Sequence, residues 1–239
     1  MSEFLCLIPA KGCSTRLPRK NLLKLGNKSL LEHTIGKALG LNLFSNICVS
    51  TEDPEIQEIA KKTGAEAPFL RPEKLSRDPS TIVDVVIHAV EYYSQKQHKK
   101  FGHVCVLLPT SPFVNTEDIE SAAVTYKETK TNALLSVCLT EFPPFNSWVL
   151  EESPDTKGQV LKPCFPDSPY RHTKSTECPE TYRSNGAILI VNVESLLRNR
   201  GYQGNDVTPF IMPQSRSLDI DTQYEYELAQ FMYQKNRTT

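Results

Sequence analysis

The chain has 239 residues, 39% of them apolar, and carries 27 basic and 28 acidic side chains for a formal net charge of −1. That balance excludes the basic excess of a nucleic-acid-binding surface, and no run approaches the roughly 20 apolar residues of a membrane span. The seven cysteines lack CxxC spacing, and Cys6, Cys48, Cys105 and Cys138 fall in apolar runs, so buried free thiols in a reducing cytoplasm are expected.

The first element is a strand at Phe4–Ile8, and Met1-Ser2-Glu3 ahead of it does not read as a signal peptide. Directly after it, Ile8–Asn21 carries four cations (Lys11, Arg16, Arg19 and Lys20) among small residues. Ala10, Gly12 and Ser14 let the backbone approach an anion while Lys11, Arg16 and Lys20 neutralise it, so the loop reads as a polyphosphate cradle. A solvated basic loop is the alternative. Position favours the cradle, because ligands of open α/β sheets sit beyond the carboxyl ends of the strands. Cys13 lies among these cations, which would lower its thiol pKa.

Strands at Ile47–Ser50, Val104–Leu108 and Leu134–Leu139 then alternate with helices at about 29–39, 53–63, 82–97 and 116–127. Asp53-Pro54 and Thr116-Glu117-Asp118 start helices and Gly64 stops one. This rhythm predicts an α/β fold, a mostly parallel sheet flanked by helices. From Glu141 to Pro179 it breaks: seven of the 17 prolines and the only Trp, Trp148, fall there. Residues 141–180 therefore read as an arm, a lid or dimer contact built of extended hairpins, inserted in a single domain of 1–239. A strand at Gly186–Val191, another at Val207–Met212 and a helix from about Thr222 to Lys235 complete the chain.

Two carboxylates, Asp219 and Asp221, alternate with Leu218 and Ile220. In an extended segment both acids face one point, and hard oxygens so placed suit Mg²⁺ or Mn²⁺ bridging to phosphate. Alternatively Asp221 only starts the last helix; Glu225, one turn later, could back the pair. Arg71-Pro72, followed by Asp78 and Thr81 before a helix, offers a planar donor to a base or carboxylate, or merely a surface turn. Leu108-Pro109-Thr110-Ser111-Pro112 ends a strand in hydroxyls, and Arg183-Ser184-Asn185-Gly186 places a cation and an amide before another. No Gly-x-Ser-x-Gly elbow or P-loop occurs.

Taken in order, Ala10–Ser14 with Lys20-Asn21, Arg71-Pro72, Pro109–Pro112, Arg183–Ile188 and Ser217–Asp221 resemble the acylneuraminate cytidylyltransferase family, the CMP-sialic acid and CMP-nonulosonate synthetases. The resemblance implies a Rossmann-like nucleotidyltransferase fold with a small dimerisation arm, a homodimer, and transfer of CMP from CTP to a nine-carbon 2-keto sugar acid. It assigns nucleotide contacts to Ala10, Lys11, Gly12, Ser14, Lys20, Asn21, Arg71 and Thr81, and sugar contacts to Thr110, Ser111, Arg183 and Asn185. It assigns the metal to Asp219 and Asp221, and catalytic charge to Lys11, Arg16, Lys20 and Asp221. Lys11 stands at the usual Arg, Thr15 at a common Lys, Leu108 at a common Gln and Val114 at a common Arg; Arg171 and Lys174 compete for a further cation. Ser14–Pro18 instead resembles the 3-deoxy-manno-octulosonate cytidylyltransferases. An Asp-x-Asp glycosyltransferase and a non-catalytic nucleotide-binding homologue are the remaining alternatives.

Overall fold

The computed structural model describes residues 3–77, 79–153, 157–202 and 207–238, so Asp78 lies outside the described residues. The chain opens with β1 (Phe4–Pro9), the small hairpin β2 (Lys24–Leu25) and β3 (Lys28–Ser29), then α1 (Leu30–Leu39), β4 (Asn46–Ser50) and α2 (Pro54–Thr63). Next come α3 (Ile82–Gln97), β5 (His103–Leu107), α4 (Thr116–Thr129) and β6 (Ala133–Leu139). β7 (Trp148–Glu152), β8 (Gln159–Pro163), β9 (Tyr182–Asn192), α5 (Val193–Asn199), β10 (Val207–Ile211) and α6 (Gln223–Thr238) follow. Two compact units result: one joins residues up to Val137 with those from Ser184 onward, the other is Cys138–Arg183.

The larger unit is organised by a six-stranded sheet in the order β10-β6-β9-β5-β1-β4. β1 is parallel to β4 and β5, β10 is parallel to β6, and β9 runs antiparallel to β5. Both faces of β1 are buried, which is why its sequence is apolar throughout rather than alternating. Phe4, Cys6 and Ile8 join the core under α1, α2 and α4; Leu5 and Leu7 join the core under α3 and α5.

The helices begin where side-chain chemistry fixes them. Ser29 with Glu32, Thr81 with Asp84, and Asn115 with Asp118 form reciprocal capping boxes, and Asp53 caps α2 ahead of Pro54. Gly64 ends α2 at φ +105°, the left-handed cap glycine tolerates best. A third, smaller core of Leu17, Leu25, Leu30, Ile220 and Ala229 ties the basic loop to α6. Cys6, Cys48, Cys105 and Cys138 are buried free thiols.

In the smaller unit β7 and β8 form an antiparallel hairpin closed by Ser153 N–H donating to the Gly158 carbonyl (2.9 Å). Every residue of β7 is exposed, and Arg171 lies over the Trp148 ring at 5.5 Å. Phe145 meets the Phe165 ring edge-on and the Tyr170 ring at a tilt.

Candidate active site

The loop after β1 is held from below by the turn after β4. Glu52 accepts backbone N–H bonds from Gly12 (2.7 Å) and Cys13 (3.2 Å). Asp53 packs so closely that a Cβ on Gly12 would lie 2.4 Å from its Oδ2, so only glycine fits. Those two N–H groups therefore point at a carboxylate of the chain itself. At the far end of the loop Arg19 adopts φ 52°, an uncommon conformation for a residue with a side chain, and ion pairs to Asp53 (3.2 Å) and Glu55 (2.7 Å) hold it there. The turn that follows aims Lys20 and Asn21 inward: Asn21 Nδ2 donates to the Lys11 carbonyl at 2.8 Å.

Lys20 reaches across 201 residues of sequence to Asp221, Nζ to Oδ1 2.5 Å, and also donates to the Ile220 carbonyl. Arg16 takes the other Asp221 oxygen at 2.7 Å. Burial pushes the Asp221 carboxyl upward, but the Lys20 and Arg16 charges outweigh it and hold the group below its ordinary value. Asp219 moves the other way: burial raises it, the Thr110 hydroxyl and Lys20 pull back, and the Asp221 and Glu225 charges add to the rise. Two carboxylates with opposite shifts thus share one field. Ile220 between them is fully buried in the third core, and its N–H bonds the Thr110 carbonyl at 2.8 Å. Glu225 accepts from the Asp221 and Thr222 N–H groups and from the Thr222 hydroxyl. The cap of α6 is therefore the Thr222–Glu225 pair, and the Asp221 side chain is not needed for helix initiation. Asp219 Oδ1 is buried with no hydrogen-bond partner among the described residues, an orphaned hard oxygen of the kind a divalent cation satisfies. Among the described residues no group of three or more His, Cys, Asp or Glu forms a complete metal cage.

A cavity of about 250 Å³ lies beside this charge cluster, walled by Lys11, Lys20, Asn21, Arg71, Thr81, Leu108 and Thr110 together with Ser76, Arg77 and Ser80. Arg71 is 5% exposed; its Nε donates to Ser76 Oγ (3.0 Å) and one Nη to Glu52 Oε2 (3.0 Å). The surface-turn alternative for Arg71 fails on that burial. Thr81 caps α3 at the cavity wall. Ala10 is fully buried and its N–H bonds the Ser50 carbonyl at 3.0 Å. Ser14 is buried with an unpartnered hydroxyl among the described residues.

Other residues singled out from the sequence sit elsewhere. Asn185, read as sugar-facing, is 1% exposed and bonds Ser136 Oγ (2.6 Å) and Ser217 Oγ (2.8 Å), so it braces β9 from inside. Ser111 is likewise buried, its hydroxyl 3.5 Å from the Asn185 carbonyl. Arg183 is exposed and belongs to the smaller unit. The Cys13 thiol pKa goes up, not down: burial and the Glu52 carboxylate raise it more than Lys11 lowers it. Val114 is a core residue.

Sequence reading missed Glu52 and Lys37. Burial draws Lys37 down to about 8 against the pull of Asp118, and its Nζ donates to the Pro112 carbonyl at 2.5 Å, fixing the Thr110-Ser111-Pro112 turn. The one sequence signal for Glu52 is an acid two residues beyond the strand Asn46–Ser50.

The sequence pattern of the cytidylyltransferase family matches residues 5–236. The chain belongs to the cytidylyltransferase family. Relatives that cover 97–98% of both chains include a pseudaminic acid cytidylyltransferase of Campylobacter jejuni, 31% identical, and a CMP-N,N'-diacetyllegionaminic acid synthase of Legionella pneumophila, 33% identical. An N-acylneuraminate cytidylyltransferase of Escherichia coli is 30% identical over 98% of this chain and 53% of its own. A solved CMP:2-keto-3-deoxy-manno-octonic acid synthetase complexed with CTP shares the fold at TM-score 0.68 and 17% identity, covering 98% of this chain and 100% of its own. The present cytidylyltransferase is accordingly a nucleotidyltransferase enzyme with the α/β sheet its sequence predicts.

Proposed function

We propose that this cytidylyltransferase activates a nonulosonic acid, transferring CMP from CTP to the sugar's anomeric hydroxyl with release of pyrophosphate. The observation that carries the reading is the meeting of Lys20, Arg16 and the Asp219/Asp221 pair beside a cavity walled by Arg71 and Thr81. Names of the full-length relatives supply the substrate class.

The hydroxyl attacks the α-phosphorus in line, and such a reaction needs positioning and charge neutralisation more than a protein nucleophile. Lys11, Arg16 and Lys20 meet the triphosphate, and Asn21 fixes the loop through the Lys11 carbonyl. Asp219 and Asp221 would hold Mg²⁺ or Mn²⁺, which supplies Lewis-acid stabilisation of the phosphate charge. Thr110, on the cavity wall, is offered to the sugar acid. The exposed β7–β8 hairpin, with Trp148, Leu150 and Leu161 at its surface, supports a homodimer built through that arm.

The deciding experiment measures pyrophosphate release with CTP and Mg²⁺ on a panel of sialic, legionaminic, pseudaminic and 3-deoxy-manno-octulosonic acids. Turnover on a nonulosonic acid is expected. Turnover on the octulosonic acid alone would favour the sister reaction that Ser14–Pro18 resembles, and no pyrophosphate with any acid would refute cytidylyl transfer.

A further inference from the structure

Glu52 touches both sides of the site. Its Oε1 accepts the Gly12 and Cys13 backbone N–H groups of the basic loop, at 2.7 and 3.2 Å. Its Oε2 accepts Arg71 Nη2 (3.0 Å) and Ser76 Oγ (2.9 Å) from the segment that walls the cavity. Arg71 Nε also donates to Ser76 Oγ, closing a small ring of bonds. Four donors thus converge on one carboxylate whose side chain is 15% exposed. The two donor pairs come from segments far apart in sequence and, on the CTP reading, serve different parts of the ligand. Gly12 and Cys13 shape the loop for phosphates, whereas Arg71 and Ser76 shape the cavity for the nucleoside.

We propose that Glu52 is a positioning residue that couples nucleoside recognition to phosphate recognition, so that filling either half of the site orders the other half. The inference rests on the CTP-dependent reading of the site. Physically, a carboxylate has enough lone pairs to serve all four donors at once. The amide of Gln cannot: its NH₂ must face one donor pair or the other, so one half is released whichever way it turns. Were the tie to serve stability alone, its loss would lower the melting temperature, and the two half-sites would bind independently in wild type and variant alike. Coupling is a separate quantity and is reciprocal between ligands.

The test uses calorimetric titration of the intact protein with cytidine, with inorganic tripolyphosphate, and with each in the presence of the other. In the wild type, saturating tripolyphosphate should raise cytidine affinity at least tenfold, and cytidine should do the same for tripolyphosphate. In Glu52→Gln that factor should fall below threefold. In turnover, the KM for CTP should rise tenfold or more while the KM for the sugar acid stays within twofold. Should Glu52→Gln not fold, Ser76→Ala keeps the carboxylate and removes one donor. It should halve the coupling factor or better, with tripolyphosphate affinity alone within twofold of wild type. Equal coupling factors in wild type and variant, or independent binding in the wild type, overturn the coupling. A wild type that binds neither CTP nor either half refutes the CTP reading itself.

Discussion

Glu52→Gln should flatten the acid limb of the stability profile. Burial alone would raise the Glu52 carboxyl, but its own backbone and the hydrogen bonds from Arg71, Ser76 and the Gly12 N–H bring it from 4.5 down to about 2. A carboxyl depressed in the folded state stabilises that state above its unfolded pKa, and the contribution drains away as pH falls toward the folded one. The shift corresponds to about 3 kcal/mol at neutral pH, since each unit is worth about 1.4 kcal/mol. Integrating the linkage, roughly 2 kcal/mol should vanish between pH 6 and pH 3. The glutamine side chain does not titrate, so the gap between wild type and variant should close by that amount over the same window. Urea unfolding of both proteins at half-unit pH steps measures it. A gap that stays constant from pH 6 to pH 3 would show that Glu52 is not held as a buried, multiply bonded anion.

Asp221→Ala should lower kcat at least 100-fold, about 3 kcal/mol of transition-state stabilisation, and near-wild-type turnover would remove the metal role. Chelation should abolish pyrophosphate release and restored Mg²⁺ should recover it. Because burial raises the Asp219 pKa, metal affinity measured by titration should fall as pH drops through that raised value, and Asp219→Asn should lose this dependence. Gly186→Ala meets a φ of +70° and places a Cβ 3.3 Å from Asp219 Oδ2. It should cost about 1–2 kcal/mol in chemical denaturation and weaken the metal, whereas an unchanged midpoint would contradict the strain. Ile220→Ala empties a fully buried site in the third core, so about 2–5 kcal/mol of stability should go.

The sheet was legible because β1, β4 and β5 are short apolar runs between well-capped helices, and each cap is a local signal. The acidic pair was legible for a similar reason: alternation of Asp219 and Asp221 with Leu218 and Ile220 is a two-residue period, although the segment is an extended loop rather than a strand. Glu52 escaped because Thr51-Glu52-Asp53-Pro54 reads locally as a helix start, a task Asp53 performs, while the partners of Glu52 lie 19 to 40 residues away. Asn185 misled because β9 begins earlier than its apolar core and turns at Gly186, φ +70°, which swings the amide onto Ser136 and Ser217. The seven-residue α5 was too short for any periodicity to register.

The third core has a temporal meaning as well as a spatial one. Leu17, Leu25 and Leu30 wait for Ile220 and Ala229, and Tyr226 Oη closes on the Lys24 carbonyl at 2.7 Å. A ribosome therefore delivers the cationic loop first and its counter-charge 201 residues later, counted from Lys20. Until Asp221 and α6 dock, Lys20 and Arg16 lack the carboxylate that both of them pair with in the folded chain, so the basic loop is the last part of the larger unit to gain its charge balance.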